Sequence, residues 1–96
     1  MKYDWTQKVV LITGASSGIG RALAVELGRR GARLGLTARR EAELLSVAEE
    51  VVRAGGEALA LPADVRDPEA IKSAASRARE KWGRVDVLAE RAQRSP

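Results

Sequence analysis

The feature that most restricts the fold of this chain is a glycine-rich segment that lies directly between a strand pattern and a helix pattern. Residues 8–13, KVVLIT, form a short β-branched run between a polar start and a glycine, which is typical of a strand buried on both faces. Within residues 13–20, TGASSGIG, a helical pattern begins, and its apolar residues Ile19, Leu23 and Leu27 are four positions apart. These segments predict a strand, a tight turn and a helix in immediate succession.

The strand and helix patterns alternate along the rest of the chain. Three further strands are predicted, at residues 33–38, 57–61 and 85–88. Between them, apolar positions at helical spacing mark two helices: Leu44, Ala48, Val51 and Val52 in the first, and Ile71, Ala74, Ala75, Ala78 and Trp82 in the second. A glycine follows each predicted helix and is expected to end it, and Asp67 is expected to cap the last one at its start.

This order of elements predicts an α/β fold. Parallel strands joined by right-handed helical crossovers are the common way to pack alternating strands and helices, with helices on both faces of an open sheet. We therefore expect a three-layer Rossmann-type parallel sheet with the strand order 3-2-1-4. The predicted folded unit spans residues 1–88, and a polar tail spans residues 89–96.

Composition narrows the classes of function. The 96 residues are 45% hydrophobic and 31% charged, which is typical of a globular protein. The chain has no apolar run near the roughly 20 residues of a membrane helix and no signal-peptide pattern, so a cytoplasmic protein is expected. Without cysteine or histidine, it lacks thiolate nucleophiles, imidazole bases and the usual zinc ligands. A net charge of +4 suits anionic ligands, but 3% aromatic residues provide too little base stacking for nucleic-acid binding.

The glycine-rich segment has the properties of a diphosphate-binding turn. Free N–H groups at the start of a helix supply hydrogen-bond donors and a favourable dipole for an anion. We expect Gly14 to allow the tight turn, Gly18 to allow the backbone to approach a phosphate, and Gly20 to allow close packing of the helix on the sheet. The predicted phosphate contacts are Gly14, Ser16, Ser17, Gly18, Ile19 and Gly20. A purely structural glycine turn is the alternative.

If the bound diphosphate belongs to a nicotinamide dinucleotide, the end of the second predicted strand indicates whether NAD or NADP is preferred. In dinucleotide folds an acidic residue here bonds the ribose 2′-hydroxyl of NAD and repels a 2′-phosphate. This chain has Ala38, Arg39 and Arg40 instead, with no carboxylate. A guanidinium can donate paired hydrogen bonds to a phosphate, so the sequence predicts NADP rather than NAD. Arg39 is the first candidate for the contact with the 2′-phosphate, and Arg40 is the second. The alternative is a basic pair that only begins the second helix.

The pattern Thr-Gly-x-x-x-Gly-x-Gly after the first strand resembles the fingerprint of the short-chain dehydrogenase/reductase family, and the likeness runs from residue 8 to residue 88. The resemblance implies hydride transfer between a nicotinamide cofactor and an alcohol or carbonyl. It also implies that Asp64 accepts a hydrogen bond from the adenine amino group and that the Val65 backbone meets a ring nitrogen. A loop aspartate that caps a turn is the alternative for Asp64.

The chain departs from the family pattern after the fourth strand. Family members continue with Asn-Asn-Ala-Gly, whereas Leu88 is followed here by AERA and the chain contains no asparagine. The catalytic serine and Tyr-x-x-x-Lys also lack counterparts, since Tyr3 precedes the first strand and has Gln7 four positions on. We therefore expect an incomplete family fold, the nucleotide-binding part of an oxidoreductase, inactive alone and prone to self-association through the edge of strand four. A non-catalytic nucleotide-binding or interaction module is the alternative.

Overall fold

The structure of the protein, a computed structural model, describes residues 4–16 and 18–89. Strands and helices alternate along them as β1 (Val9–Thr13), α1 (Gly18–Arg29), β2 (Arg33–Thr37), α2 (Glu41–Ala54), β3 (Glu57–Ala60), α3 (Pro68–Trp82) and β4 (Val87–Ala89). All four strands pair in parallel, in the order β3-β2-β1-β4. The predicted α/β class and strand order are therefore confirmed. In this part of the chain the longest helix has 15 residues, and none combines the length and hydropathy needed to cross a bilayer.

The central position of β1 follows from its composition. All five of its residues are buried, as expected for a strand covered on both faces. Val10 and neighbouring side chains pack against Leu27 and other residues of α1 and α2, whereas Leu11 packs on the opposite face against Ala74 and Ala78 of α3. The sheet thus separates two apolar clusters, which gives the predicted three layers.

The buried face of α1 differs from the stripe that the sequence spacing suggested. Ile19 and Leu23 are 71% and 37% exposed. The buried residues are Gly20, Ala24, Leu27 and Gly28. Three of these four residues are small because α1 closely approaches the turn after β1 at Gly20 and the helix α2 at Gly28. Of the predicted stripe, only Leu27 is buried. In α2, likewise, Val47 is buried while Val52 is 58% exposed.

The predicted helix ends are confirmed. The carboxylate of Asp67 caps α3 by accepting from the N–H groups of Glu69, at 3.1 Å, and Ala70, at 3.4 Å. Gly55 and Gly83 end α2 and α3 in the left-handed conformation, with φ of 117° and 85°. Glycine adopts this conformation without the penalty that a Cβ brings.

The fourth strand lies later in the chain than predicted. It runs from Val87 to Ala89, so Ala89 belongs to the sheet and not to the tail. Asp86 precedes the strand, and its N–H donates to the Val9 carbonyl at 2.8 Å while its carboxylate accepts from the Val9 N–H at 2.8 Å. A side chain thus takes the place of a backbone acceptor at this edge of β1. Residues 90–96, the rest of the predicted tail, lie outside the described residues.

Candidate functional site

A cleft of about 320 Å³ opens where β1, β2 and β3 end. It is lined by residues of the three loops that follow these strands: Gly14, Ser16, Ala38, Arg39, Ala63, Asp64, Val65 and Arg66. The carboxyl ends of parallel strands meet at one edge of the sheet, which is where open α/β folds bind ligands. Five of the residues predicted from the sequence are therefore brought together: Gly14, Ser16, Arg39, Asp64 and Val65.

Backbone hydrogen bonds beyond the strand ends hold these loops in place relative to one another. The N–H of Ala15 donates to the Thr37 carbonyl at 3.0 Å, which ties the turn after β1 to the end of β2. The N–H of Ala63 donates to the Ala38 carbonyl at 2.9 Å, which ties the loop after β3 to the loop after β2. The register of the sheet thus sets the relative positions of residues that lie far apart in the sequence.

The glycines of the turn have different surroundings. Gly14 has a φ of +67°, which glycine favours, and so allows the chain to turn sharply out of β1. A Cβ at Gly20 would lie 2.3 Å from the Gly14 carbonyl oxygen, so α1 can approach the turn this closely only with glycine. Among the described residues, a Cβ at Gly18 would meet no atom within 4 Å apart from its chain neighbours and the backbone of its own helix, and its φ is +56°. The space beside the first residue of α1 is therefore open.

Within residues 4–16 and 18–89, the first turn of α1 differs from those of the other helices in its charged residues. The first turn of α2 contains Glu41 and Glu43, and that of α3 contains Glu69, whereas the first turn of α1 has no acidic residue. Carboxylates near a helix N-terminus partly offset the positive end of its dipole. The positive end of α1 lacks such a residue, which favours an anion from outside the helix.

The two consecutive arginines after β2 have different environments. The Arg40 guanidinium forms a salt bridge with Glu43 at 3.2 Å, and Arg40 does not line the cleft. The exposed Arg39 lines the cleft and makes no hydrogen bond or salt bridge within the described residues. Its positive charge acts on Asp64 across the cleft. Arg39 is thus the guanidinium available to a ligand there.

The carboxylate of Asp64 is held by one neighbour. Its Oδ1 accepts from the Arg66 backbone N–H at 2.9 Å and from the Arg66 Nε at 3.2 Å, and its Oδ2 accepts from Nη2 at 3.1 Å. These side-chain hydrogen bonds are the largest cause of the lowered pKa of the Asp64 carboxyl, followed by the bond from the Arg66 backbone and, more weakly, by the charge of Arg39. The group is therefore an acceptor-only carboxylate at neutral pH.

The other predicted contacts lie outside the cleft lining or outside the described residues. Gly18, Ile19 and Gly20 form the first turn of α1, where Ile19 is largely exposed. Ser17, like Tyr3, lies outside the described residues. Sequence reasoning missed Arg66, although an acidic and a basic residue two positions apart after a strand is a recognisable signal for such a pair.

Comparison with known proteins identifies the same architecture. A family model described as short chain dehydrogenase matches residues 8–94. A trihydroxynaphthalene reductase of Colletotrichum orbiculare is 44% identical over 85 residues, which cover 84% of this chain and 29% of that protein. A metagenomic short-chain oxidoreductase solved in complex with NADP has a TM-score of 0.81 and 43% identity, over 90% of this chain and 39% of its own. The NADH-dependent reductase A1-R′ complexed with NAD has a TM-score of 0.80 and 34% identity, over 88% and 36%.

Each comparison covers most of this chain but only part of the other protein. The chain spans about a third of the length of these three proteins. The family model nevertheless covers most of the chain, from the residue before β1 past the end of β4. The chain belongs to the short-chain dehydrogenase family.

Proposed function

We propose that this chain is the nucleotide-binding part of an NADP(H)-dependent short-chain oxidoreductase. Membership of the family supports hydride transfer between a nicotinamide cofactor and an alcohol or carbonyl as the reaction of the whole enzyme. The sequence contains no Tyr-x-x-x-Lys segment, so we expect the chain by itself to bind the cofactor without turnover.

The diphosphate would bind at the start of α1. The positive end of this helix without an acidic residue, the open space beside Gly18 and the presence of Ser16 in the cleft lining support this position. Ser17, Ile19 and Gly20 remain proposed contacts because they belong to the same glycine-rich segment of the sequence. A volume of about 320 Å³ is at the lower end of ligand sites, which suits part of a dinucleotide better than a whole one.

The observation that carries the cofactor preference is that the Arg39 guanidinium at the cleft has no partner among residues 4–16 and 18–89. The two structural neighbours were solved with different cofactors, NADP in one and NAD in the other, so the preference has to come from this chain's own residues. An aspartate after β2 would repel a 2′-phosphate, but Ala38 stands there, and Arg39 follows with a guanidinium that no described residue engages. A guanidinium without a partner can form two parallel hydrogen bonds to the oxygens of a 2′-phosphate.

The experiment that tests this function is calorimetric titration of the chain with NADPH and NADH at one fixed ionic strength. Arg39→Ala is expected to weaken NADPH binding roughly ten- to a hundredfold, the range of one hydrogen bond to a charged group, and to change NADH binding by less than about threefold. Arg40→Ala is the matched control, because it removes the same charge one residue away from a side chain that pairs with Glu43.

Two results would contradict the assignment. If wild type binds NADH as tightly as NADPH, the chain has no preference for a 2′-phosphate. If Arg40→Ala weakens NADPH binding as much as Arg39→Ala, the effect is general electrostatic attraction and not a contact made by Arg39.

A further inference from the structure

Arg66 is a charged residue of the cleft to which the proposed function gives no role. It lies two positions after Asp64 in the loop that follows β3, and both residues line the cleft. Its backbone N–H, its Nε and its Nη2 all donate to the Asp64 carboxylate, so that both carboxylate oxygens are engaged by one residue. This arrangement restricts rotation of the Asp64 side chain.

The hydrogen bonds also determine how much accepting capacity Asp64 has left. Each carboxylate oxygen offers about two acceptor positions. Arg66 occupies two at Oδ1 and one at Oδ2. Within the described residues, one acceptor position therefore remains, and it is on Oδ2.

The backbone of Asp64 is restrained as well. Its carbonyl accepts from the Asp67 N–H at 2.9 Å, and the preceding residue, Ala63, donates to the Ala38 carbonyl at 2.9 Å. The carboxylate thus projects from a loop that is tied both to the start of α3 and to the end of β2. Only the orientation of the side chain depends on Arg66.

We propose that Arg66 is a positioning residue for recognition of the adenine base: it holds the Asp64 carboxylate so that the single remaining acceptor on Oδ2 meets an exocyclic amino group. This inference rests on the proposed nucleotide-binding function. Its consequence is selectivity for a purine with an amino group at position 6 over one with a carbonyl there, because a carbonyl oxygen and a carboxylate are both acceptors.

The contribution of Arg66 is expected in selectivity and not in folding stability. The Arg66 side chain is 72% exposed and that of Asp64 is 34% exposed. Ion pairs this accessible to water add little to the stability of the folded state. Replacing the Arg66 side chain therefore leaves the fold intact and removes two of the three hydrogen bonds that orient the Asp64 carboxylate, so that only the bond from the backbone N–H of residue 66 to Oδ1 remains.

The test compares binding of NADPH with binding of its hypoxanthine analogue, which has a carbonyl at position 6 and an N–H at position 1 of the purine. Wild type is expected to prefer NADPH by about tenfold or more, the effect of one lost charge-assisted hydrogen bond. Arg66→Ala should reduce this preference to about threefold or less. Arg66→Lys keeps the positive charge but lacks the two N–H donors that the guanidinium directs at the carboxylate, so it should retain part of the preference. Urea midpoints of the variants should match wild type.

Two further variants distinguish a positioning role of Arg66 from a general effect of its charge and from a role of Asp64 alone. Arg77→Ala removes the same charge from an exposed position on α3, outside the cleft lining, and should leave the preference unchanged. Asp64→Asn should reduce the preference as Arg66→Ala does. If Asp64→Asn reduces it and Arg66→Ala does not, Arg66 has no positioning role, although the nucleotide-binding function stands. A wild-type chain that binds neither dinucleotide would refute the proposed function itself.

Discussion

Replacing Gly20 with alanine tests the closest backbone approach at the candidate site. At an ordinary helix position, alanine in place of glycine stabilises by about 1 kcal/mol. At this position the new Cβ would lie 2.3 Å from the Gly14 carbonyl oxygen and 3.1 Å from the Ala15 Cα, both backbone atoms that cannot rotate away. Since ordinary van der Waals contact begins near 3.4 Å, α1 must move by roughly 1 Å.

We expect Gly20→Ala to lower the free energy of unfolding, although helix propensity alone would raise it. Overpacking against a rigid neighbour costs about 3 kcal/mol, so a loss of about 2 kcal/mol remains after the propensity gain. For a domain of this size, such a loss lowers the melting temperature by roughly 8–16 °C. Urea and thermal unfolding followed by far-ultraviolet circular dichroism measure it. As a control, Ala22→Gly at an exposed position of the same helix measures how much stability an exchange between alanine and glycine changes through helix propensity alone. A Gly20→Ala chain as stable as wild type would refute the reasoning.

Three further predictions concern the turn, the first strand and the sheet edge. Gly18→Ala and Gly83→Ala should each cost about 1 kcal/mol, since both positions have positive φ and open space for a Cβ, but in calorimetric titrations only Gly18→Ala should weaken NADPH binding. The lowered pKa of Asp86, caused first by the hydrogen bond from the Val9 N–H, means that the charged carboxylate stabilises the fold above its ordinary pKa of about 3.8 and that this contribution is lost as the pH falls further. Asp86→Asn should therefore lower the urea midpoint at pH 7 and narrow the difference from wild type below pH 4, and a difference that is independent of pH would exclude this linkage. Leu88 is 50% exposed on a strand whose outer edge has no partner within the described residues, so we expect wild type to self-associate at high concentration and Leu88→Lys to shift it toward monomer in size-exclusion chromatography. A wild type that stays monomeric would contradict this prediction.

Much of the architecture could be predicted because it depends on interactions between near neighbours in the chain. The β-branched run of β1 predicts a buried strand, and the Asp67 cap and the Gly83 stop depend on groups within one helical turn. Once three strand and helix pairs follow one another, the right-handed crossover rule leaves few topologies. Class, element order and strand order followed from these local signals.

Part of the candidate site could also be predicted, because a parallel sheet fixes where the residues after each strand lie. Gly14, Ser16, Arg39, Asp64 and Val65 follow the strands directly, and a parallel sheet brings such residues to one edge. Which of two adjacent arginines lines the cleft depends instead on where α2 begins and on the pairing of Arg40 with Glu43. The sequence alone left both arginines as candidates.

By itself, the sequence determined the succession of strands, turns and helices, since hydrophobic period, capping and positive-φ glycines act over a few residues. Only the tertiary structure decided which face of each helix is buried and which polar groups meet. Ile19 and Leu23 have the spacing of a core stripe, yet Gly20 and Ala24 are the buried residues, and at Gly20 the nearby Gly14 carbonyl oxygen leaves no room for a side chain. The distance between α1 and its neighbours is set by segments remote in the sequence, and no local pattern contains it.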